Sequence, residues 1–276
     1  MPYLLVSVTG PDQIQRFDMN GAFVGSFSAL GSPRHMVLGS DGLLYVAKQV
    51  GRVDRYDPTT GVAMGTFTTG GSLNAPIGLV FAPNGDLLVG SQQPNRIAEF
   101  QGSTGNYIGD FGADPALGAP VGLTVGPDGD IYVVSSGMPS TVLRFAHTTG
   151  ASLGVFTSGG SMDFASTPTF GPDGNLYVSV SNDSKVSRFS GVTGAFIDDF
   201  VPTNNGGLSS GAGLVSGPDG NLYVASFQGQ RILKYDGHTG TFLGEFAQPG
   251  GQVHGLLFVD TADRLWQRHR RRRRAV

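Results

Sequence analysis

The stretch GPDGNLYVAS at residues 217–226 is the clearest copy of a motif that recurs along this chain of 276 residues. It returns as GPDGNLYVSV at 171–180 and GPDGDIYVVS at 126–135, and more loosely from Ala82 and Gly39. The central valines of six copies follow one another at steps of 40 to 46 residues: Val6, Val46, Val89, Val133, Val178 and Val224. This period is typical of one four-stranded blade of a β-propeller.

Each repeat contains four strand-like runs, which we name A to D. The LYV segment is run B, and the turn before it carries Asp-Gly or Asn-Gly in five copies, a strong hairpin signal. A glycine lies six residues before the final Phe of every D run, as a left-handed turn between runs C and D would require. These glycines are Gly21, Gly61, Gly105, Gly150, Gly194 and Gly240. The repeated Phe and Tyr residues are expected to pack between blades.

The phase of the repeat predicts how the ring closes. The chain begins with a B run, and its last complete run is an A run at 255–258. We therefore predict an all-β, six-bladed propeller with four antiparallel strands per blade. Its first blade takes three strands from the N-terminus and one from the C-terminus, a 3+1 closure that leaves no free edge. Residues 1–266 are expected to form this single propeller, with a spare strand start at 264–266, and 267–276 a disordered Arg-rich tail.

Composition and charge exclude several classes. With 44 Gly, 16 Pro and only 14% charged residues, the chain does not fit a helical bundle or a coiled coil. It has no Cys, which excludes disulfides and thiolate metal sites, and no apolar run long enough for a membrane-spanning helix. Residues 1–10 lack the pattern of a signal peptide. Six of the 18 basic residues lie in the tail, leaving 12 basic against 21 acidic residues, a body of net charge −9. Such a body repels phosphates, so nucleic acid is not an expected partner.

The GPDGNLYV units resemble NHL-type repeats and, more broadly, bacterial propeller proteins that share this phrase. The resemblance covers nearly the whole chain and implies the propeller fold and an extracytoplasmic or secreted location. Because propellers include binding modules, scaffolds, lyases and hydrolases, the function has to be argued from the site. In related propeller enzymes, the site lies around the central channel, where the A strands begin.

Two enzyme families with six blades suggest metal ligands at that level. The gluconolactonase and paraoxonase-like lactonases hold Ca²⁺ there with Asn, Asp and Glu, ligands that suit a hard cation. The matching positions of this chain carry none of these residue types: Arg34, Ile77, Val121, Ser166, Ala212 and His254. The peptide-amidating lyases bind Zn²⁺ with several histidines, one of them in a Pro-His-Gly-Leu run that Val-His-Gly-Leu at 253–256 resembles. The virginiamycin-lyase-like propellers share GPDGNL but have seven blades.

The residues at the beginnings of the A strands indicate one candidate site. His254, Arg34 and His35 begin A strands of adjacent blades, and they are the candidate catalytic residues: a His as general base, the Arg as holder of an anion or oxyanion. Asn74 and Ser166 are candidate ligand-binding residues. Asp163 and His254 are candidate ligands of a divalent metal, Ca²⁺ or Zn²⁺, in the channel.

Three functions remain open from the sequence. The first is an NHL-like propeller, expected to be a monomer, that binds a small ligand or peptide at the channel mouth; a full set of repeats without an intact catalytic set favours it. The second is a metal-dependent hydrolase such as a lactonase at the same site, because a lone closed ring resembles the enzymes. The third is a lyase.

Overall fold

The computed structural model describes residues 2–260, which form 24 β-strands and one short 3₁₀ helix at Asn205–Gly207. In chain order the strands are β1 (Pro2–Thr9), β2 (Gln13–Phe17), β3 (Phe23–Ser28), β4 (Pro33–Leu38), β5 (Leu44–Lys48), β6 (Arg52–Tyr56), β7 (Ala63–Thr66), β8 (Leu79–Phe81), β9 (Leu87–Gln92), β10 (Asn95–Phe100), β11 (Tyr107–Asp110), β12 (Ala119–Val125), β13 (Ile131–Ser136), β14 (Thr141–Phe145), β15 (Ser152–Val155), β16 (Ala165–Phe170), β17 (Leu176–Val180), β18 (Lys185–Phe189), β19 (Phe196–Val201), β20 (Gly211–Ser216), β21 (Leu222–Ser226), β22 (Arg231–Tyr235), β23 (Phe242–Ala247) and β24 (Gln252–Asp260).

These strands form six antiparallel sheets of four strands, the blades of a propeller. Blade 1 has the order β24-β1-β2-β3, and blades 2 to 6 each take four consecutive strands, from β4–β7 to β20–β23. Strand β1 pairs with β24 from Pro2 opposite Asp260 to Thr9 opposite Gln252, so the two ends of the described chain close the ring. The predicted six-bladed, 3+1 architecture is confirmed. The predicted tail at 267–276 and the spare strand start at 264–266 lie outside the described residues.

The A strands line the central channel. Strands β24, β4, β8, β12, β16 and β20 contact one another in turn around the ring. Their backbones approach so closely that glycine is needed where they meet: a β-carbon on Gly213 would lie 2.3 Å from the His254 carbonyl oxygen, and one on Gly122 would lie 2.2 Å from that of Ser166. Because neighbouring strands are antiparallel, the loops that enter the A strands and the turns that join strands B and C gather at one end. We call this end the mouth face.

The predicted aromatic packing between blades is present, and the motif's aspartate takes part in it. In blade 2 the Tyr45 ring packs edge-on against Phe67 and Phe81, with centroids 4.9 and 5.0 Å apart, which joins blade 2 to blade 3. The Tyr45 hydroxyl donates to Asp41 Oδ2 at 3.0 Å, and Asp41 Oδ1 accepts from the Leu43 N–H. One carboxylate therefore holds both the hairpin turn and the interblade tyrosine. The described chain contains no helix of the length and hydropathy needed to cross a membrane.

Candidate functional site

The structure brings Arg34 and His254 into direct contact at the mouth of the channel. Arg34 is in β4 and His254 is in the neighbouring β24. The Arg34 Nη1 atom lies 2.8 Å from His254 Nδ1 and 2.7 Å from His254 Nε2. The other end of the guanidinium, Nη2, donates to Gln49 Oε1. Two neutral side chains from different blades therefore orient this cation.

His254 also contacts Thr9 and Phe227. The Thr9 hydroxyl lies 3.1 Å from His254 Nε2 and 3.5 Å from Gln252 Oε1. Arg34 Nη1 lies within hydrogen-bonding distance of both ring nitrogens, and the unprotonated nitrogen of the neutral imidazole accepts from it. The imidazole ring also packs on Phe227, with ring centroids 4.9 Å apart. His254 is 8% exposed, so its orientation is set by packing as well as by hydrogen bonds.

Burial and the neighbouring cation keep both histidines neutral. Burial, with smaller contributions from Arg34 and His35, lowers the pKa of His254 to about 3. Burial and then Arg34 lower the pKa of His35 to about 4. Burial also lowers the pKa of Arg34, and the attraction of Asp12 opposes that effect. An arginine nonetheless stays protonated near neutral pH, so the mouth carries one positive charge beside two neutral imidazoles.

His35 follows Arg34 in β4 and contacts a residue of the opposite blade. Its Nε2 lies 3.2 Å from Thr167 Oγ1, and Thr167 belongs to blade 5, opposite blade 2 in a ring of six. Four other A strands have glycine at this level, Gly78, Gly122, Gly213 and Gly255. The side chains of His35 and Thr167 therefore meet across the channel and form its floor, one residue deeper than Arg34.

The hydrogen bonds of Asn74 and Asp163 lie within their own blades. The Asn74 N–H donates to Ser91 Oγ at 3.1 Å, and its Nδ2 lies 3.5 Å from Gln93 Oε1. The Asp163 carbonyl accepts from the Asn182 N–H at 3.3 Å. Ser166 is in β16, at the level of Arg34. None of these contacts reaches Arg34 or His254.

The side chains at the mouth do not fit a divalent metal. Within residues 2–260, no three His, Asp or Glu side chains lie close enough together to hold a metal ion. The nitrogens of His254 already contact Thr9 and the Arg34 cation, which would repel a second positive charge. Among the described residues, no third side chain therefore completes a metal site with the two predicted ligands, Asp163 and His254.

Four partners of the site were not among the sequence candidates: Thr9, Gln49, Thr167 and Phe227. Thr9 and Gln49 lie where B strands end, beside the beginnings of the A strands. A search for polar residues at those ends would have found them. Thr167 carries no sequence signal for its contact, because the partner strand is 132 residues away.

No known protein-family profile and no curated protein sequence matches the chain. Its fold is similar to that of a chain from the crystal structure of a nidogen/laminin complex, with a TM-score of 0.78, 13% identity and coverage of 95% of this chain and 99% of that one. A streptogramin B lyase structure matches with a TM-score of 0.61 and 16% identity over 90% of this chain and 74% of the lyase. A catalytically inactive virginiamycin B lyase from Staphylococcus aureus with quinupristin matches with a TM-score of 0.62 and 15% identity over 95% and 83% of the two chains. At these identities the likenesses show a shared β-propeller fold.

Proposed function

We propose that the protein binds a small ligand or a peptide at the channel mouth and that Arg34 holds an anionic group of that ligand. One observation carries this proposal: the Arg34 cation has only neutral partners. His254 and Gln49 take up Nη1 and Nη2, and the buried Nε has no hydrogen-bond partner. No carboxylate in the described part of the chain forms a salt bridge with Arg34.

Asp12, the acidic residue that acts on Arg34, is hydrogen-bonded to the backbone of a neighbouring loop. Asp12 attracts Arg34, but its Oδ2 accepts from the backbone N–H groups of Gly31 and Ser32 at 3.1 and 3.3 Å. Partial burial removes water from around the Arg34 guanidinium, and no ion pair within the described residues compensates for this loss of hydration. Each terminal nitrogen of Arg34 carries a second N–H, and a ligand carboxylate would accept from these two in the planar geometry that arginine favours.

The electrostatics of the site favour binding over catalysis. A general base works best when its pKa lies near the working pH, and the pKa of His254 is about 3. The imidazole is therefore a weak proton acceptor at neutral pH. The donor set does not fit the metal that a lactonase-type hydrolase needs. At the channel mouth, the hydrolase and lyase alternatives are therefore less well supported than binding, because the two histidines there have low pKa values and no group of metal ligands lies within residues 2–260.

The floor of the channel determines how a ligand would sit. Because His35 and Thr167 meet across the channel, a ligand rests on the mouth and does not thread through the ring. An extended peptide that places its terminal carboxylate on Arg34 fits this arrangement. A protein segment as ligand is compatible with the fold, since one of the similar chains comes from the crystal structure of a nidogen/laminin complex.

The test compares free and capped carboxylates. We would titrate the protein with a mixed heptapeptide library carrying free C-termini and with the same library amidated, following backbone amide shifts by NMR. The free library is expected to bind, and Arg34→Gln to weaken binding at least tenfold, about 1.4 kcal/mol. Arg231→Gln is the matched control, because Arg231 is also at the mouth face but its Nη1 lies 3.5 Å from Glu245. Equal affinity of free and amidated peptides, or no loss in Arg34→Gln, would contradict the proposal.

A further inference from the structure

A cavity opens on the mouth face between blades 5 and 6. It has a volume of about 310 Å³, at the small end of the range for ligand pockets. Its lining comes from the loops that enter β16 and β20 and from the turns after β17 and β21: Phe164, Ser181, Asn182, Ser184, Ser210 and Gln228. No charged side chain lines it.

The backbone conformation at position 164 does not favour phenylalanine. Phe164 precedes β16 with a φ of 53°, a left-handed conformation that bulky residues rarely adopt. The equivalent residues before β4 and β20 are Ser32 and Ser210, with φ of 55° and 57°. A small polar residue therefore suits this position in the fold. The Phe164 side chain is 48% exposed, so it does not serve the core either. Bulky residues in such conformations are found preferentially at functional sites.

The polar side chains that line the cavity beside Phe164 can form further hydrogen bonds. Within residues 2–260, the side chains of Asn182, Gln228 and Ser210 form no hydrogen bond. The Ser184 hydroxyl accepts from the Ser210 N–H at 2.9 Å, so its own proton remains available. The Ser181 hydroxyl donates to the Gly211 carbonyl at 2.7 Å and can still accept. The cavity thus presents amide and hydroxyl donors and acceptors, with the exposed Phe164 beside them.

We propose that this cavity binds a neutral saccharide of one or two sugar units. A sugar ring has an apolar face of C–H groups that can lie on the Phe164 ring, and an edge of hydroxyl groups. The amides of Asn182 and Gln228 donate to and accept from those hydroxyls, with the serine hydroxyls completing the set. A lining without charge selects against anionic and cationic ligands, because a charged group would lose its hydration without gaining an ion pair. This site does not involve Arg34.

The test uses neutral oligosaccharides as probes. Saturation-transfer NMR with malto-, cello-, chito- and manno-oligosaccharides is expected to detect binding of at least one series to the wild-type protein. Phe164→Ser is expected to weaken that binding at least tenfold while the melting temperature stays equal or rises, since serine occupies the equivalent positions. Asn182→Ala and Gln228→Ala are each expected to weaken it severalfold. The control is Val192→Ser, at an 88% exposed position in a turn at the opposite end of the propeller.

The outcomes separate this site from the channel mouth. Saccharide binding that survives Arg34→Gln and is lost in Phe164→Ser supports the proposal. Binding that is lost in Arg34→Gln and retained in Phe164→Ser would move the saccharide to the channel mouth and overturn it. No saturation transfer from any of the four series to the wild-type protein would also overturn it. If Phe164→Ser lowers the melting temperature, the two amide variants decide, and unchanged binding in both refutes the site.

Discussion

Acidification from pH 7.5 to 5 is expected to destabilise the propeller through His254 and His35. Both side chains are neutral in the folded protein, with pKa values of about 3 and 4, whereas an unfolded histidine has a pKa of 6.5. Below pH 6.5 the unfolded chain therefore binds protons that the folded protein does not. Stability is fully present above pH 6.5 and is lost as the pH falls towards the folded pKa values.

The size of the effect follows from those pKa values. Each histidine costs about 1.4 kcal/mol for every pH unit below 6.5, or about 2 kcal/mol at pH 5. Together the two groups remove about 4 kcal/mol from the free energy of unfolding, a large part of the roughly 5 to 15 kcal/mol typical of a folded protein. Because His254 is only 8% exposed, screening by solvent reduces its contribution to this loss of stability only slightly.

The assay is urea denaturation of the wild-type protein, His254→Gln and His238→Gln at pH 7.5, 6 and 5. His254→Gln loses packing against Phe227 at every pH, so the informative quantity is the change with pH. Its free energy of unfolding is expected to fall about 2 kcal/mol less than that of the wild type between pH 7.5 and 5. His238 is an exposed residue in a turn at the opposite end, and its variant should follow the wild type.

Equal losses of unfolding free energy with pH in the wild type and His254→Gln would contradict this role of His254. They would mean that His254 takes up a proton equally readily in the folded and unfolded states. Burial and the nearby Arg34 guanidinium, whose Nη1 lies 2.8 Å from Nδ1, would then not lower the pKa of His254.

Two further predictions concern the fold. Gly240→Ala should lower the free energy of unfolding by several kcal/mol in urea melts, because its β-carbon would lie 1.9 Å from the Phe200 carbonyl oxygen. Gly220→Ala, with a similar positive φ and nothing within 4 Å, should cost only about 1 to 2 kcal/mol, and equal losses would contradict the steric explanation. Tyr223→Phe removes the 2.9 Å hydrogen bond from the hydroxyl to Asp219 and should cost about 1 kcal/mol; a loss above about 3 kcal/mol would show that more than this bond is lost.

The number and order of the strands were predictable because their signals are local. An Asp-Gly turn or a left-handed glycine six residues before a phenylalanine acts within a few residues of itself, and six copies place all 24 strands. The strand ends were less predictable. Strand β24 begins three residues before the predicted run at 255–258, and β12 likewise begins three residues before Gly122, the equivalent of Gly255. In both, pairing continues past an irregularity in register, which depends on the partner strand.

Repeat period and phase were enough to predict a six-bladed ring, its closure and the placing of Arg34 and His254 on adjacent inner strands. The folded ring was needed to show that Arg34 is held by His254 and Gln49 without a counterion, and that His35 meets Thr167 across the channel. These contacts join different blades, so they depend on ring geometry and side-chain packing, which leave no periodic signal along the chain.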